Sequence, residues 1–376
     1  MRTLLHNATL LTPQGKVEGH DLLIEGEYIK ALESDISCEG ITQIDCKGDL
    51  LIPGFIDVQV NGGGGALFNA DPSVETIKTI GAAHRIYGTS AFLPTLISDT
   101  LETVKKAISA VEAAIEQGVP GVIGIHLEGP FLNPVKKGIH NADKFRVLDD
   151  EAVEVLTSLS KGVTHITLAP EQTTPQMVEK LVARGAVLSA GHTAATYEQM
   201  MQAVDAGVTG FTHLYNAMTG LDSRAPGVVG AALTTPATYA GIISDGFHVH
   251  PASIEAAIKA KGISKMMLVS DAMPCVGAVN KSFTLEGLEI TVEEGKCTGP
   301  DGTLAGSDLD MISAVRNTAA WTSVTYEESV YMASKTPADF LGVSDQYGSL
   351  EVGKKANILQ IDAAGKVVSN WINGKL

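Results

Sequence analysis

Four side chains in this sequence have the types and positions to do hydrolytic chemistry together. Glu128 ends VIGIHLE (122–128), His192 ends AVLSAGH (186–192), His213 sits in GFTHL (210–214) and Asp271 ends KMMLVSD (265–271). Two imidazoles and one carboxylate supply three ligands for a divalent ion, leaving a position for water or substrate. Taken singly, each histidine reads more readily as a hydrogen-bonded core residue than as a ligand. Their shared place at the end of an apolar run favours ligation. Asp271 beside such an ion can take a proton from an activated water and return it to a leaving amine. Its alternative role is a helix cap.

Other polar residues take supporting places. His248 lies three residues beyond YAGIISD (239–245), and Gln59 lies in FIDVQV (55–60). His140 follows the third run and suits a hydrogen bond to substrate, or a solvated loop. His126 lies two residues before Glu128 and so points the same way, into the interior. His165 opens a strand and reads as structural, while His6, His20, His84 and His250 have no supporting context. Arg224, in GLDSRAPG, suits an anionic group because guanidinium grips phosphate in two places. The backbone N–H groups around Asn216 and Ala217 are further anion candidates. Lys136 and Lys137 could add charge there, though a loop pair of lysines is usually just solvated.

These residues need a frame that brings strand ends together. Eight strand candidates occur in order: 55–60, 91–96, 122–128, 165–170, 186–192, 210–214, 239–245 and 265–271. Between them lie stretches of helical length such as SDTLETVKKAISAVEAAIEQG and TTPQMVEKLVARG. Alternating strand and helix predicts a parallel sheet. Eight such units predict an α/β fold of the (β/α)8 TIM-barrel type, whose reactive residues sit at the C-terminal strand ends. The competing open dinucleotide-binding sheet needs GxGxxG after its first strand. Asn61-Gly62-Gly63-Gly64-Gly65 lacks that register and the acidic residue that should follow.

The two ends of the chain read differently. Residues 1–52 and 345–376 are short apolar or alternating runs broken by Gly and Pro. They predict one small β-sandwich domain built from both termini, flanking a catalytic barrel at 53–344. Residues 277–303 read as a β insert before the last helices, either covering a substrate or merely elaborating a loop.

Composition narrows the partners. The 376 residues carry a formal net charge of -16, which disfavours nucleic acid. No run nears the ~18 apolar residues of a membrane span, and the N-terminus lacks a convincing export signal. The expected location is the cytoplasm. The four cysteines, Cys38, Cys46, Cys275 and Cys297, show no CxxC spacing and read as reduced thiols.

Seven segments together resemble one family. PGFIDVQVNG (53–62), HLEGPF (126–131), KGIHN (137–141), SAGHT (189–193), THLYNAM (212–218), SDGFHV (244–249) and LVSDAMP (268–274) look like the N-acetylglucosamine-6-phosphate deacetylases of the amidohydrolase superfamily. The resemblance spans the barrel in order. It implies hydrolysis of the acetamide of N-acetyl-D-glucosamine 6-phosphate, with Glu128, His192 and His213 holding the metal and Asp271 as base and acid. It implies substrate contacts from Ile139, His140, Asn216, Ala217, Arg224 and His248, and from Leu304, Ala305 and Gly306. It also implies a homodimer in which Arg224 reaches the neighbouring active site.

One feature departs from the wider superfamily. The first strand there often ends in HxH, which helps bind a second metal, but this chain reads Gln59-Val60-Asn61. Amides replace imidazoles poorly as zinc ligands. One divalent metal per subunit is therefore expected, zinc first, with iron, manganese or cobalt as alternatives, and Gln59 as a weak neighbour. Two other readings stay open: an amidohydrolase acting on a different acetylated amino sugar or cyclic amide, and a non-catalytic barrel.

Overall fold

The computed structural model describes residues 2–34, 36–37 and 39–376. Cys38 therefore lies outside the described residues. Eight parallel strands follow in chain order: Phe55–Val60, Thr89–Ile97, Gly124–Glu128, Val163–Leu168, Val187–Ala190, Gly210–Phe211, Tyr239–Ile242 and Met266–Leu268. Each pairs with its neighbours in sequence. The ring closes through a parallel bridge between Val60 and Ala272, reinforced by Asp271 N–H donating to the Gln59 carbonyl at 3.0 Å. The fold is the expected (β/α)8 barrel.

Burial explains why these segments form strands. Every residue of Phe55–Val60, Thr89–Ile97 and Gly124–Glu128 is buried, as a sheet covered on both faces requires. The intervening helices turn one apolar stripe inward. In Leu101–Glu116 the stripe is Leu101, Val104, Ala107, Ile108, Val111 and Ala114, the spacing of a single helix face. Thr100 caps its start by accepting Thr103 N–H. Each large aliphatic side chain buried this way contributes about 1.5–3 kcal/mol.

The barrel interior is polar below its mouth. His126 and His165 pair in register across the third and fourth strands, their rings stacked with centroids 4.1 Å apart. His126 Nε2 lies 2.7 Å from Thr167 Oγ1, and His165 Nε2 lies 2.8 Å from Ser189 Oγ. Burial lowers the pKa of both rings, to about 4 for His126. His165 is the third residue of its strand rather than the first, so it belongs to this interior layer.

Strands from both termini share one sheet. The C-terminal hairpin Ile358–Ile361 and Val367–Trp371 pairs antiparallel with Leu50–Pro53, which pairs parallel with Thr9–Thr12. A four-stranded sheet built around Arg2–His6 faces it. Leu5, Leu10, Leu22, Ile24, Leu51, Ile358 and Trp371 fill the space between. The insert forms a three-stranded antiparallel sheet, Phe283–Leu285, Leu288–Glu293 and Lys296–Thr298. Leu285, Ile290 and Cys297 seat it against Met273, Cys275 and Leu67 beside the mouth.

Candidate active site

The residues at the strand ends meet in one pocket of about 330 Å³. Glu128, His140, His192, His213, Asn216, Ala217, His248, Asp271, Ile139, Leu304 and Gly306 all line it. His192, His213 and Asp271 lie two or three residues beyond the regular strands, each with left-handed backbone (φ 48°, 33° and 52°). Non-glycine residues rarely adopt that conformation, and it clusters at functional sites. The turn before His192 needs Gly191, because a Cβ there would sit 2.6 Å from Thr167 Cγ2.

Three atoms form a tight triangle. His192 Nε2 and His213 Nε2 are 3.0 Å apart, and Glu128 Oε1 is 3.2 Å from the first and 3.1 Å from the second. Tetrahedral ligation at about 2.0–2.1 Å spaces donor atoms by about 3.3 Å, so the triangle fits one face of such a shell. His192 Nδ1 lies 2.8 Å from the Lys136 carbonyl, so that nitrogen carries the proton and Nε2 keeps its lone pair for the centre. His213 Nδ1 is buried without a hydrogen-bond partner among the described residues. Burial would raise the Glu128 pKa, but the His192 and His213 rings packed against it outweigh that cost and hold the carboxyl well below its ordinary value.

A second set also gathers. Glu128, His140 and His192 place ligand atoms within 4.8 Å of one another. His140 Nε2 is 4.0 Å from Glu128 Oε1, longer than a tetrahedral edge, so the set with His213 is the better metal cradle. Burial, with His192 nearby, keeps His140 well below the ordinary imidazole pKa, hence neutral. Its Nδ1 sits 2.8 Å from Ser98 Oγ.

Asp271 is pinned through one oxygen. Asn61 Nδ2 donates to Oδ1 at 2.7 Å and Gln59 Nε2 donates to it at 3.1 Å. Gln59 Nε2 also lies 3.1 Å from Glu128 Oε2, so the amide bridges the two carboxylates. Gln59 thus meets the centre as a hydrogen-bond donor, because an amide nitrogen has no lone pair to offer a metal. Burial, then the nearby Glu128, pushes the Asp271 pKa up to about 6.

Some expected contacts fall elsewhere. Asn216 N–H is used on the His213 carbonyl at 3.0 Å, so it is not open to an anion. Ala217 N–H has no protein partner among the described residues. Ala305 is buried behind the wall, its N–H donating to the Cys297 carbonyl, and does not line the pocket. Arg224 is exposed and does not line the pocket of its own chain.

Sequence reasoning missed Asn61, Ser98 and Asp245. Asn61 was in view only as the second amide of Gln59-Val60-Asn61. Asp245 had a readable signal, an acid three residues before His248. Ser98 had none.

Comparisons with known proteins place this arrangement. The amidohydrolase family model matches residues 50–376. The chain is 41% identical to the N-acetylgalactosamine-6-phosphate deacetylase of Shewanella sp. (strain ANA-3), over 99% of this chain and 95% of that protein. It is 34% identical to the N-acetylglucosamine-6-phosphate deacetylase of Haemophilus influenzae, over 100% and 99%. It matches the crystal structure of N-acetylglucosamine-6-phosphate deacetylase from Pasteurella multocida with a TM-score of 0.96 and 36% identity, covering 100% and 99%.

Proposed function

This chain belongs to the amidohydrolase family, and from that premise we infer that it is a metal-dependent deacetylase of N-acetyl-D-glucosamine 6-phosphate. The products are D-glucosamine 6-phosphate and acetate, a step of amino-sugar catabolism. One observation carries the chemistry: the triangle of Glu128, His192 and His213 beside a single pinned Asp271.

Glu128, His192 and His213 are the residues to hold one divalent cation, zinc in our reading. When bound, such an ion supplies Lewis-acid polarisation and a lowered pKa for water. Asp271 accepts the proton of the attacking water. Its Oδ1 is occupied by Asn61 and Gln59, which leaves Oδ2 for that transfer. The same carboxyl then protonates the departing amine. His140, neutral and aimed at the centre, is suited to donate to the developing oxyanion. Ile139 and Leu304 are apolar walls, and Ala217 N–H and His248 face the sugar phosphate.

We assign the phosphate to Arg224 of a second copy in a homodimer. Two facts support this. No arginine lines the pocket among the described residues, and Arg224 is exposed. Among the described residues no helix is long and apolar enough to cross a membrane. We place the enzyme in the cytoplasm, where the buried Cys275 and Cys297 thiols, 3.6 Å apart, would be kept reduced.

A second substrate reading has its own support. The 41% identity to an N-acetylgalactosamine-6-phosphate deacetylase favours the C4 epimer. Acetate release from both sugar phosphates, run beside unphosphorylated N-acetylglucosamine, decides between them. A kcat/KM at least tenfold higher for the gluco epimer supports our reading, and the reverse order overturns it. Release from neither would overturn both.

A further inference from the structure

The loop after the seventh strand holds His248, placed above beside the sugar phosphate, in a buried acid–imidazole pair whose acid the mechanism above does not use. His248 Nδ1 lies 2.6 Å from Asp245 Oδ2, and both side chains are almost fully buried. The other oxygen, Asp245 Oδ1, accepts the backbone N–H groups of Phe247 at 2.9 Å and His248 at 2.8 Å. These bonds, against the cost of burial, hold Asp245 below its ordinary pKa, so it is an anion that only accepts.

The loop is braced from behind. Asn317 Nδ2 donates to the Ser244 carbonyl at 2.8 Å, and Thr318 Oγ1 lies 2.9 Å from Ser244 Oγ. Both come from the helix Met311–Trp321. Gly246, at φ 80°, lets the chain turn within reach of the Trp321 ring. The pair is therefore held in place before any ligand arrives. His248 lines the pocket, and its Nε2 has no protein partner among the described residues.

We propose that Asp245 is a positioning residue for substrate binding: its carboxylate keeps the His248 proton on Nδ1 and presents the Nε2 lone pair to the pocket as an acceptor for a sugar hydroxyl. The substrate half of this inference rests on the sugar-phosphate reading above; the proton assignment does not. The geometry makes one substitution diagnostic. In Asp245→Asn the two backbone N–H groups still need an oxygen at Oδ1. The amide NH2 then faces Nδ1 and donates to it. The proton must move to Nε2, and the acceptor becomes a donor. An acid-to-amide change beside a catalytic histidine imposes the wrong tautomer in just this way.

The test is a long-range ¹H–¹⁵N spectrum of the histidines in the zinc-loaded full-length enzyme, with His248→Gln used to assign the signals. Wild type should show His248 protonated on Nδ1 alone, and D245N should show it on Nε2 alone. In the same preparations D245N should raise KM for the sugar phosphate about tenfold, the scale of one hydrogen bond, with kcat changed less than threefold. A wild-type ring protonated on Nε2 overturns the proposal, as does an unchanged tautomer or an unchanged KM in D245N. If D245N does not fold, the wild-type spectrum still decides the proton's position. Wild type that carries the Nδ1 proton yet releases no acetate would sink the substrate reading and support the tautomer assignment.

Discussion

His192 Nε2 and His213 Nε2 lie 3.0 Å apart, each also within 3.2 Å of Glu128 Oε1. The Lys136 carbonyl takes the His192 Nδ1 proton, so at least one of these ring nitrogens offers a lone pair to the shared centre. A cation satisfies all three groups at once.

Metal removal should therefore abolish acetate release, and one equivalent of divalent ion per chain should restore it. Because the ion binds the folded state, apo enzyme should melt a few degrees lower. His213→Ala should weaken metal binding by at least about 100-fold, since loss of a mere supporting group costs 10–100-fold. Metal analysis after dialysis checks this. Full metal in His213→Ala with loss in His140→Ala would transfer the cradle to Glu128, His140 and His192.

Asp271→Asn keeps the hydrogen-bonding shape beside Asn61 and Gln59 but cannot carry a proton. We expect kcat to fall about 10²–10⁴-fold with the metal still bound. Steady-state rates with metal content on the same sample give the answer. Retained turnover would mean that another group moves the proton.

Arg224→Ala should raise KM for the phosphorylated sugar about 10–100-fold, as expected for charged hydrogen bonds. KM for the unphosphorylated sugar should not change. Sedimentation should give a dimer. A monomer with an unchanged KM would remove Arg224 from the phosphate site.

His84 predicts acid lability. Its ring is buried, with Nε2 2.9 Å from the Gly62 carbonyl, and burial lowers its pKa from about 6.5 to about 4. The folded state stays neutral over that interval while the unfolded state takes up a proton. The stability is thus fully present above about pH 6.5 and is lost as pH falls towards 4. His126, also near 4, adds to the same trend. Denaturant melts at pH 7 and pH 5 should show a smaller difference in His84→Gln than in wild type. An equal difference would show that His84 is not responsible.

Much of the fold and the centre was readable from residue order alone. Apolar runs carrying Glu128, His192, His213 and Asp271 at or near their ends announced both the barrel and its mouth, because strand period and crossover length are local properties of the chain. The amides at 59 and 61 were equally visible as a missing HxH. Their use was not. That Gln59 bridges Glu128 and Asp271, residues 69 and 212 positions away, depends on ring closure between the first and eighth strands.

The same limit applies to tautomers and spent donors. His192 presents Nε2 because a carbonyl 56 residues away takes its other proton, and Asn216 loses its N–H to a carbonyl three residues back in an unusual left-handed turn. Residue type and spacing announce which groups arrive at the mouth. Only tertiary contacts decide which atom of each group faces it, because a hydrogen-bond direction belongs to the pair and not to either residue.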